Sequence, residues 1–236
     1  MGSNTGKSSQ TSKTGKNKSG TTVHAAEIVR EYGPFPGVAQ VAGVTHDGQR
    51  VWAATGDRLI AFEPGSDTPT PTRTIDIACD AGTTFDGTYL YQIAEARIDK
   101  IDPASGKVLA SIPAPGNGSD SGLAWAEGSL WVGQHRDRKI HQIDPATGAI
   151  IRTIDSNRFV TGVTWVDGEL WHGTWEGDES DIRRIDPVSG AVLERLEMPQ
   201  GTAVSGLESD GADLFYCGGG SSGKVRAVRR PKGVRP

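Results

Sequence analysis

Cysteines and long apolar segments are both scarce in this chain. Only two of the 236 residues are cysteines, Cys79 and Cys217. Two cysteines exclude a disulfide-rich scaffold, and the count is compatible with one bridge or with two free thiols. We expect buried free thiols, the usual state of an unpaired cysteine. No apolar stretch approaches the roughly 20 residues that a membrane-spanning helix requires, so we expect no membrane partner.

Basic charge is scarce as well. The chain has 25 lysines and arginines against 29 aspartates and glutamates, which gives a net charge of −4. Nucleic-acid-binding domains usually carry a basic surface, so we expect no nucleic-acid partner. Metal- and redox-type Cys-x-x-Cys motifs are absent, and so is a phosphate-binding glycine loop between a strand and a helix. The glycine-rich run at residues 218–223 joins two predicted strands and indicates a flexible loop.

The first 23 residues contain no segment that could be buried. Four lysines stand there among serine, threonine, glycine and asparagine, and the apolar centre of a secretory signal is missing. We therefore predict a disordered leader or tail over residues 1–23 and a single domain over residues 24–233. We expect a cytoplasmic monomer, with a periplasmic origin after signal removal left open.

What the chain has in abundance is glycine, 32 residues, and an internal repeat. Five copies of one pattern open at glycines that are spaced 39, 40, 40 and 44 residues apart. These glycines are Gly43, Gly82, Gly122, Gly162 and Gly206. Each copy contains four strand-like runs, here named strands a to d, and a period of about forty residues with four strands is typical of a β-propeller blade. We predict an all-β, five-bladed propeller of four-stranded antiparallel blades.

The last copy lacks its strand d, because the chain ends soon after Pro231. The segment at residues 27–32 precedes the first strand a and has the pattern of an outer strand. We predict that this N-terminal segment completes the fifth blade, since an open ring would leave an unpaired strand.

Two features of the repeat have a structural explanation. An aromatic residue recurs in strand b of every copy, and packing between neighbouring blades explains it best. These residues are Trp52, Tyr91, Trp131, Trp171 and Phe215. The Asp-Pro pairs at residues 102–103, 144–145 and 186–187 match the first positions of type I turns, so we interpret these aspartates as turn residues rather than metal ligands.

The loops are regular on one rim of the predicted ring and irregular on the other. Strand direction alternates, so the a–b and c–d turns share one rim while the d–a and b–c loops share the opposite rim. Irregular loops on a rigid frame are where sites usually form. We therefore predict a site on the d–a and b–c rim, over the mouth of the central channel.

Residues that break the repeat supply the catalytic candidates. Glu208 stands where the other copies have threonine or alanine, and a carboxylate on the innermost strand should face the channel or a partner; pairing or hydration is the structural alternative. His135 and Trp175 belong to the rim by register, and His172 lies deeper on its strand. The predicted catalytic residues are Glu208, Glu176, His135 and His172.

Substrate contacts are predicted from the same rim loops. The candidates are Trp175, Gln92, Glu95, Arg158, Phe159 and Asn117. Asp80 and Asp120 share a register two residues before the strand-a glycine, so both could point across the mouth and bind a divalent cation. Capping of backbone amides is the alternative for these two carboxylates.

The Ile-Asp-Pro turns and the Leu-Trp pairs of the repeat resemble those of the YVTN/quinoprotein-like bacterial propellers. That group includes streptogramin lyases, gluconolactonase-like proteins and glutamine cyclotransferases, and five blades favour the last of these. The resemblance implies a pocket at the channel mouth that cyclises N-terminal glutamine to pyroglutamate, with a carboxylate as acid and base. Glu208 and Glu176 are the nearest candidates for that carboxylate. The family's blade opening is only echoed here, by residues 159–163.

Two functional hypotheses follow. The first is an enzyme, of cyclotransferase or lyase type, that acts on a small molecule or peptide at the channel mouth. The second is a non-catalytic propeller that binds a peptide or protein partner with its rim loops. Polar residues that break the repeat at the mouth favour the first, whereas a broad apolar rim would favour the second.

Overall fold

All of the regular elements that the structure describes are β-strands. The structure is a computed structural model that describes residues 14–16, 20–67 and 69–232. The chain begins with β1 (Thr14–Lys16), β2 (Thr22–Ala25) and β3 (Ile28–Tyr32). The first blade consists of β4 (Gly43–His46), β5 (Val51–Ala54), β6 (Gly56–Phe62) and β7 (Arg73–Cys79). The second consists of β8 (Thr83–Phe85), β9 (Leu90–Ala94), β10 (Arg97–Ile101) and β11 (Val108–Pro113).

The remaining three blades repeat this arrangement. The third consists of β12 (Asp120–Ala126), β13 (Ser129–Gln134), β14 (Lys139–Ile143) and β15 (Ile150–Asp155). The fourth consists of β16 (Val160–Val166), β17 (Glu169–Thr174), β18 (Asp181–Ile185) and β19 (Val192–Glu197). The fifth contains β20 (Gly206–Ser209), β21 (Leu214–Gly218) and β22 (Val225–Arg229). The predicted five-bladed propeller of antiparallel blades is confirmed.

The N-terminal strand β3 completes the fifth blade. It pairs antiparallel with β22, with Tyr32 opposite Val225 and Arg30 opposite Ala227. Glu31 reinforces this pairing through ion pairs to Lys224 at 2.9 Å and Arg226 at 2.7 Å. The closure predicted from the sequence is confirmed, and it joins the two ends of the domain in one sheet.

The strand before β3 belongs to a different blade. β2 pairs in parallel with β19, the outer strand of the fourth blade, and β1 pairs with β2. His24 Nε2 lies 2.8 Å from Glu194 Oε1 across this pairing. Residues 14–16, 22 and 23 thus form strands inside the segment for which the sequence predicts disorder, while most of that segment lies outside the described residues. The reason is that β19 offers a free edge, which sequence inspection of the leader alone does not reveal.

The five repeat glycines form a ring at the centre of the propeller. A Cβ atom added to any of them would come within 2.3–2.7 Å of backbone atoms around the same register of the next blade. A Cβ on Gly162, for example, would lie 2.3 Å from the amide nitrogen of Leu207, and one on Gly206 would lie 2.7 Å from the Cα of Gly43. Five blades make a narrow ring, so the innermost strands approach too closely for any side chain at this position.

The strand-b aromatics pack between blades, as predicted. All five are buried, with at most 4% of the residue surface exposed. Trp131 stacks on Trp165 of the next blade with ring centroids 5.3 Å apart, and Trp171 contacts Phe215 of its next blade at 5.0 Å. These aromatic contacts hold the rigid frame on which the rim loops stand.

The Asp-Pro turns and the two cysteines also agree with the expectations from the sequence. Asp144 accepts hydrogen bonds from the backbone N–H groups of Ala146 and Thr147 at 2.8 and 2.9 Å, as expected of a turn residue, and these bonds lower the pKa of its carboxyl group. Cys79 and Cys217 are free and buried. Burial raises the pKa of the Cys217 thiol to about 12, which leaves it unreactive at neutral pH.

Candidate functional site

A cavity of about 540 Å³ opens at the mouth of the central channel, on the rim of the d–a and b–c loops. The residue directly before each of the five ring glycines lines it. These residues are Ala42, Ala81, Ser121, Thr161 and Ser205. The floor of the cavity therefore rests on the glycine ring, and its position coincides with the site region predicted from the sequence.

Four of the predicted site residues line this cavity together: Asp80, Asp120, His135 and Trp175. They come from three different blades. Asp80 lies on a d–a connection and Asp120 is the first residue of β12, each two residues before a ring glycine. His135 and Trp175 each follow directly after a strand b. The register argument from the repeat brought these four residues to the same rim, and the ring geometry brings them to the same cavity.

His135 is held by aromatic and backbone contacts. Its ring packs on Phe159 with centroids 4.7 Å apart, and its backbone N–H donates to the carbonyl of Ser119. Burial and the nearby positive charge of Arg136 lower the pKa of the imidazole, although the backbone of Trp175 and the charge of Glu176 act in the opposite direction. The net effect is an imidazole that is neutral at pH 7 and can accept a proton.

Asp120 is buried at the start of β12. Its carboxylate accepts the N–H of Gly116 at 3.0 and 2.9 Å and so holds the d–a loop of residues 116–119. Burial raises the pKa of this carboxyl group despite hydrogen bonds from Gly116 and Gln134. The group therefore combines the capping role weighed in the sequence analysis with a place in the cavity wall.

Asp80 and Trp175 form the outer part of the wall. Asp80 is exposed and accepts the backbone N–H of Glu95 at 3.2 Å. Trp175 is partly exposed at the start of the loop between β17 and β18 and lines the cavity. No lysine or arginine is among the described residues that line this cavity, so its charged side chains are the carboxylates of Asp80 and Asp120.

Glu208 lies in the channel, two residues past Gly206 along β20 and hence on the far side of the glycine ring from the cavity. Its carboxylate accepts hydrogen bonds from Thr45 at 2.9 Å and Thr164 at 2.5 Å, on the two flanking blades. The side chain keeps some exposure, but the surrounding strands exclude most water, and this burial raises its pKa to about 7. Glu208 does not line the mouth cavity.

His172 and Gln92 point into the blades. Both are fully buried on strand b. His172 Nδ1 lies 3.1 Å from the carbonyl oxygen of Gly173, and burial lowers the pKa of the imidazole to about 4. The amide of Gln92 donates to the carbonyls of Ala81, Gly82 and Ile93. These contacts make both residues part of the frame rather than of the cavity.

Glu176, Arg158 and Phe159 form a cluster beside the cavity. The carboxylate of Glu176 pairs with Arg138 at 2.6 Å and with Arg158 at 3.3 Å. The guanidinium of Arg138 lies 4.7 Å from the centroid of the Phe159 ring, which also contacts His135. The cluster ties the b–c loops of the third and fourth blades together and fixes the position of His135.

Glu95 and Asn117 occupy exposed turn positions. Their φ angles are 55° and 47°, in the left-handed region that turns require. Neither lines the mouth cavity.

Within the residues described, no group of three or more histidine, cysteine, aspartate or glutamate side chains could hold a metal ion. The same part of the chain contains no helix that could cross a membrane.

Small polar residues in the cavity wall were missed in the sequence analysis. They are Gln40, Ser121, Thr161, Ser205 and Ser221. The hydroxyl of Thr161 is buried without a hydrogen-bond partner among the described residues. The signal that could have found three of them is position, because the residue before each ring glycine is forced to face the channel mouth.

Comparisons with known proteins agree with the architecture. No protein-family model matches the chain, and no curated protein matches it. Among solved structures, the glutaminyl cyclase of Myxococcus xanthus superposes with a TM-score of 0.72 and 16% sequence identity, over 88% of this chain and 97% of that one. A chain of a mitotic checkpoint complex superposes with a TM-score of 0.51 and 16% identity, over 81% of this chain and 62% of that one. Likenesses at this identity show the propeller fold.

Proposed function

We propose that this propeller acts on a small ligand at the mouth cavity and cyclises N-terminal glutaminyl residues to pyroglutamyl residues. The observation that carries the proposal is the convergence of Asp120, His135 and Trp175 on one cavity above the glycine ring. The likeness to a glutaminyl cyclase over nearly the full length of both chains supports the same reaction class. The broader YVTN relationship stays a prediction.

The reaction needs a proton acceptor and a proton donor, and the cavity offers one of each. The α-amino nitrogen attacks the carbon of the side-chain amide, a carbon–nitrogen bond forms, and ammonia leaves. His135, neutral because its pKa is lowered, takes a proton from the attacking amine. We assign the role of proton donor to Asp120, the buried carboxyl group of the same wall, which gives a proton to the departing nitrogen and regains one from His135.

Positioning supplies much of the remaining rate in an intramolecular cyclisation. The indole of Trp175 provides an apolar wall against which the aliphatic part of the glutaminyl side chain packs. In this arrangement Glu208 and Glu176 do not touch the substrate, since neither lines the cavity.

Ammonia release from a glutaminyl peptide, followed together with the mass of the product, tests the proposal. The unaltered protein should convert the peptide, and Asp120→Asn and His135→Phe should each lower kcat/KM on the order of 100-fold or more. Asp178→Asn, an equal change of charge at an exposed position of the same rim outside the cavity, should retain full activity.

Binding of glutaminyl peptides without any turnover would contradict the enzyme and support the second hypothesis, a propeller that only binds peptides. The distribution of exposed apolar side chains does not favour that hypothesis at the mouth. The large ones are found on outer strands and one c–d turn: Val29, Val108, Leu109, Ile150, Ile151, Val188 and Leu193.

A further inference from the structure

A second cavity lies on the rim opposite the mouth, between the a–b turn of the first blade and the c–d turn of the second. Its volume is about 360 Å³, which is in the range that binds small ligands. Arg50, Arg73 and Asp47 line it from the first blade, and Phe85 and Pro103 line it from the second. We call this space the inter-blade cavity. Its charged wall contains two guanidinium groups and one carboxylate.

Arg73 has hydrogen-bond donors that the protein does not use. Its Nη2 donates to the carbonyl of Ala104, on the c–d turn of the next blade. Arg152, in the corresponding strand of the third blade, makes a similar bond to the next turn and also donates from Nε to Gln142 at 2.7 Å. Arg73 faces Ala61 across the strand pair, and a methyl group cannot accept. The Nε of Arg73 is therefore buried without an acceptor among the described residues.

Arg50 breaks the repeat. It stands directly before the apolar-aromatic pair of strand b, where the other four copies have neutral or acidic residues: Tyr89, Ser129, Glu169 and Asp213. Its Nε lies 3.3 Å from Oδ2 of Asp47 but forms no hydrogen bond within the described part of the chain. The side chain is 33% exposed. A ligand in the inter-blade cavity can therefore reach this guanidinium.

Asp47 cannot neutralise both arginines. Its Oδ1 accepts the backbone N–H groups of Gln49 and Arg50 at 3.0 and 2.7 Å, and its Oδ2 accepts the indole N–H of Trp52 at 2.7 Å. These bonds hold the a–b turn, so this carboxylate has a structural role. No ion pair of Arg73 is found among the residues that the structure describes. The wall of the cavity thus keeps an excess of one positive charge.

The second blade supplies an apolar wall and no free anion. Phe85 and Pro103 are partly exposed where they line the cavity. Asp102, on the same turn as Pro103, accepts the N–H of Ala104 at 2.9 Å and the hydroxyl of Ser105 at 2.6 Å. Its carboxylate stabilises its own turn and does not line the cavity. The two guanidinium groups are therefore left to an anion from solution.

We propose that the inter-blade cavity binds a phosphoryl group, either inorganic phosphate or a small phosphate monoester, between Arg50 and Arg73. A guanidinium binds phosphate oxygens through parallel N–H···O bonds, which suits a group that carries unused donors. Phe85 and Pro103 would contact the apolar part of an ester. The inference goes beyond the proposed function and does not depend on it, since the two cavities lie on opposite rims.

Calorimetric titration of the full chain at low ionic strength tests the site, because salt screens such contacts. The probes are phenyl phosphate, inorganic phosphate and phenol. Phenyl phosphate should bind and phenol, which lacks the anion, should not. Tighter binding of phenyl phosphate than of inorganic phosphate assigns the ester as the ligand, whereas equal or weaker binding assigns free phosphate. Either order supports the site when binding depends on the two arginines.

Arg50→Gln and Arg73→Gln should each weaken binding of the phosphate probes about 10-fold or more. Arg73→Lys keeps the charge without the planar fork and should lose less. Lys107→Gln is the matched control, because it removes one charge from an exposed position of the same rim outside the cavity, and it should bind like the unaltered protein. Melting temperatures without ligand verify folding; if Arg73→Gln does not fold, Arg50→Gln and Arg73→Lys decide the test.

Three results would overturn the site. The first is no binding of either phosphate probe at about 10 mM, which would nearly saturate a site with a Kd of about 1 mM. The second is binding that survives both arginine substitutions, which would leave Arg73 as a tie between blades only. The third is an equal loss in Lys107→Gln, which would indicate attraction to surface charge in general.

Discussion

Two carboxyl groups on the innermost strands lie on opposite sides of the ring of five glycines, and burial raises the pKa of both. Asp120 borders the mouth cavity with His135 and Trp175. Glu208 lies inside the channel and accepts hydrogen bonds from Thr45 and Thr164 on the flanking blades. A perturbed pKa marks a functional site only when the group also faces a space that a ligand can enter.

Two tryptophans differ in the same way, since one belongs to the packed frame and the other to the mouth. Their substitution should give the largest difference in stability. Trp131 is fully buried between blades and Trp175 is partly exposed at the mouth. Trp131→Ala should lower the free energy of unfolding by about 3–5 kcal/mol, the usual cost of truncating a core aromatic. Trp175→Ala should cost below about 1 kcal/mol and should instead weaken ligand binding.

Chemical denaturation of both variants checks this difference. Equal destabilisation by the two substitutions would mean that the mouth is part of the packed frame, and the separation between frame and site would be wrong. A loss of less than about 0.5 kcal/mol in Trp131→Ala would reject the packing of strand b.

Substitution of a glycine in the ring that separates the two regions should give the next largest loss of stability. A methyl group on Gly162 would lie 2.3 Å from the backbone nitrogen of Leu207, and backbone atoms of an inner strand cannot easily move away. Gly162→Ala should destabilise the protein by about 1–3 kcal/mol through overpacking. Gly65→Ala, where no atom lies within 4 Å of the added methyl, should change stability by less than about 0.5 kcal/mol.

Thermal unfolding of the two alanine variants, measured under the same conditions, gives the comparison. A Gly162→Ala protein as stable as Gly65→Ala would show that the ring can widen. In that case the floor of the mouth cavity would not be fixed by the glycines.

The repeat made the five blades predictable. The pairing of β2 with the distant strand β19 was not predictable from the repeat. Forty-residue spacing predicts the blades, and the missing fifth strand d predicts the closing role of β3. The parallel pairing of β2 with β19 depends on a free edge in the fourth blade, about 170 residues away, and no local pattern encodes it.

The rim on which the mouth cavity lies was predictable from register, but the depth of each residue was not. His135 and Trp175 share a repeat position, and so do Asp80 and Asp120, and these registers placed all four on the rim where the mouth cavity lies. Glu208 also breaks the repeat, but the alignment cannot show that the glycine ring separates it from the cavity. Nor does it show that Arg138 and Arg158 pair with Glu176, because that ion cluster joins loops of different blades.

The pH dependence of the stability of Glu208→Gln tests whether the two carboxyl groups differ in role. The folded-state pKa of about 7 lies above the ordinary value of 4.5, so the folded protein binds more protons than the unfolded chain between these values. Stability therefore falls as pH rises through this window, because the ionised carboxylate is disfavoured in the channel. The variant should melt about 2–4 °C above the unaltered protein at pH 8.

The difference in melting temperature should disappear near pH 4, where the carboxyl group is protonated in both states. Turnover should be retained, in contrast to Asp120→Asn. A Glu208→Gln protein that keeps its stability at every pH but loses turnover would move the reaction into the channel and overturn the assignment to the mouth.

The smallest expected effect is a shift in the pH dependence of kcat/KM, caused by a single charge at the mouth. The positive charge of Arg136 contributes to the lowered pKa of His135, while the Trp175 backbone and Glu176 oppose it. Since His135 must be neutral to accept a proton, kcat/KM should fall on the acid side as the imidazole is protonated. Arg136→Gln should move this acid limb to higher pH by less than about one unit, in line with the loss of one screened charge. If the acid limb stays in place in Arg136→Gln but shifts in Glu208→Gln, the proton that limits the rate belongs to the channel and not to the mouth.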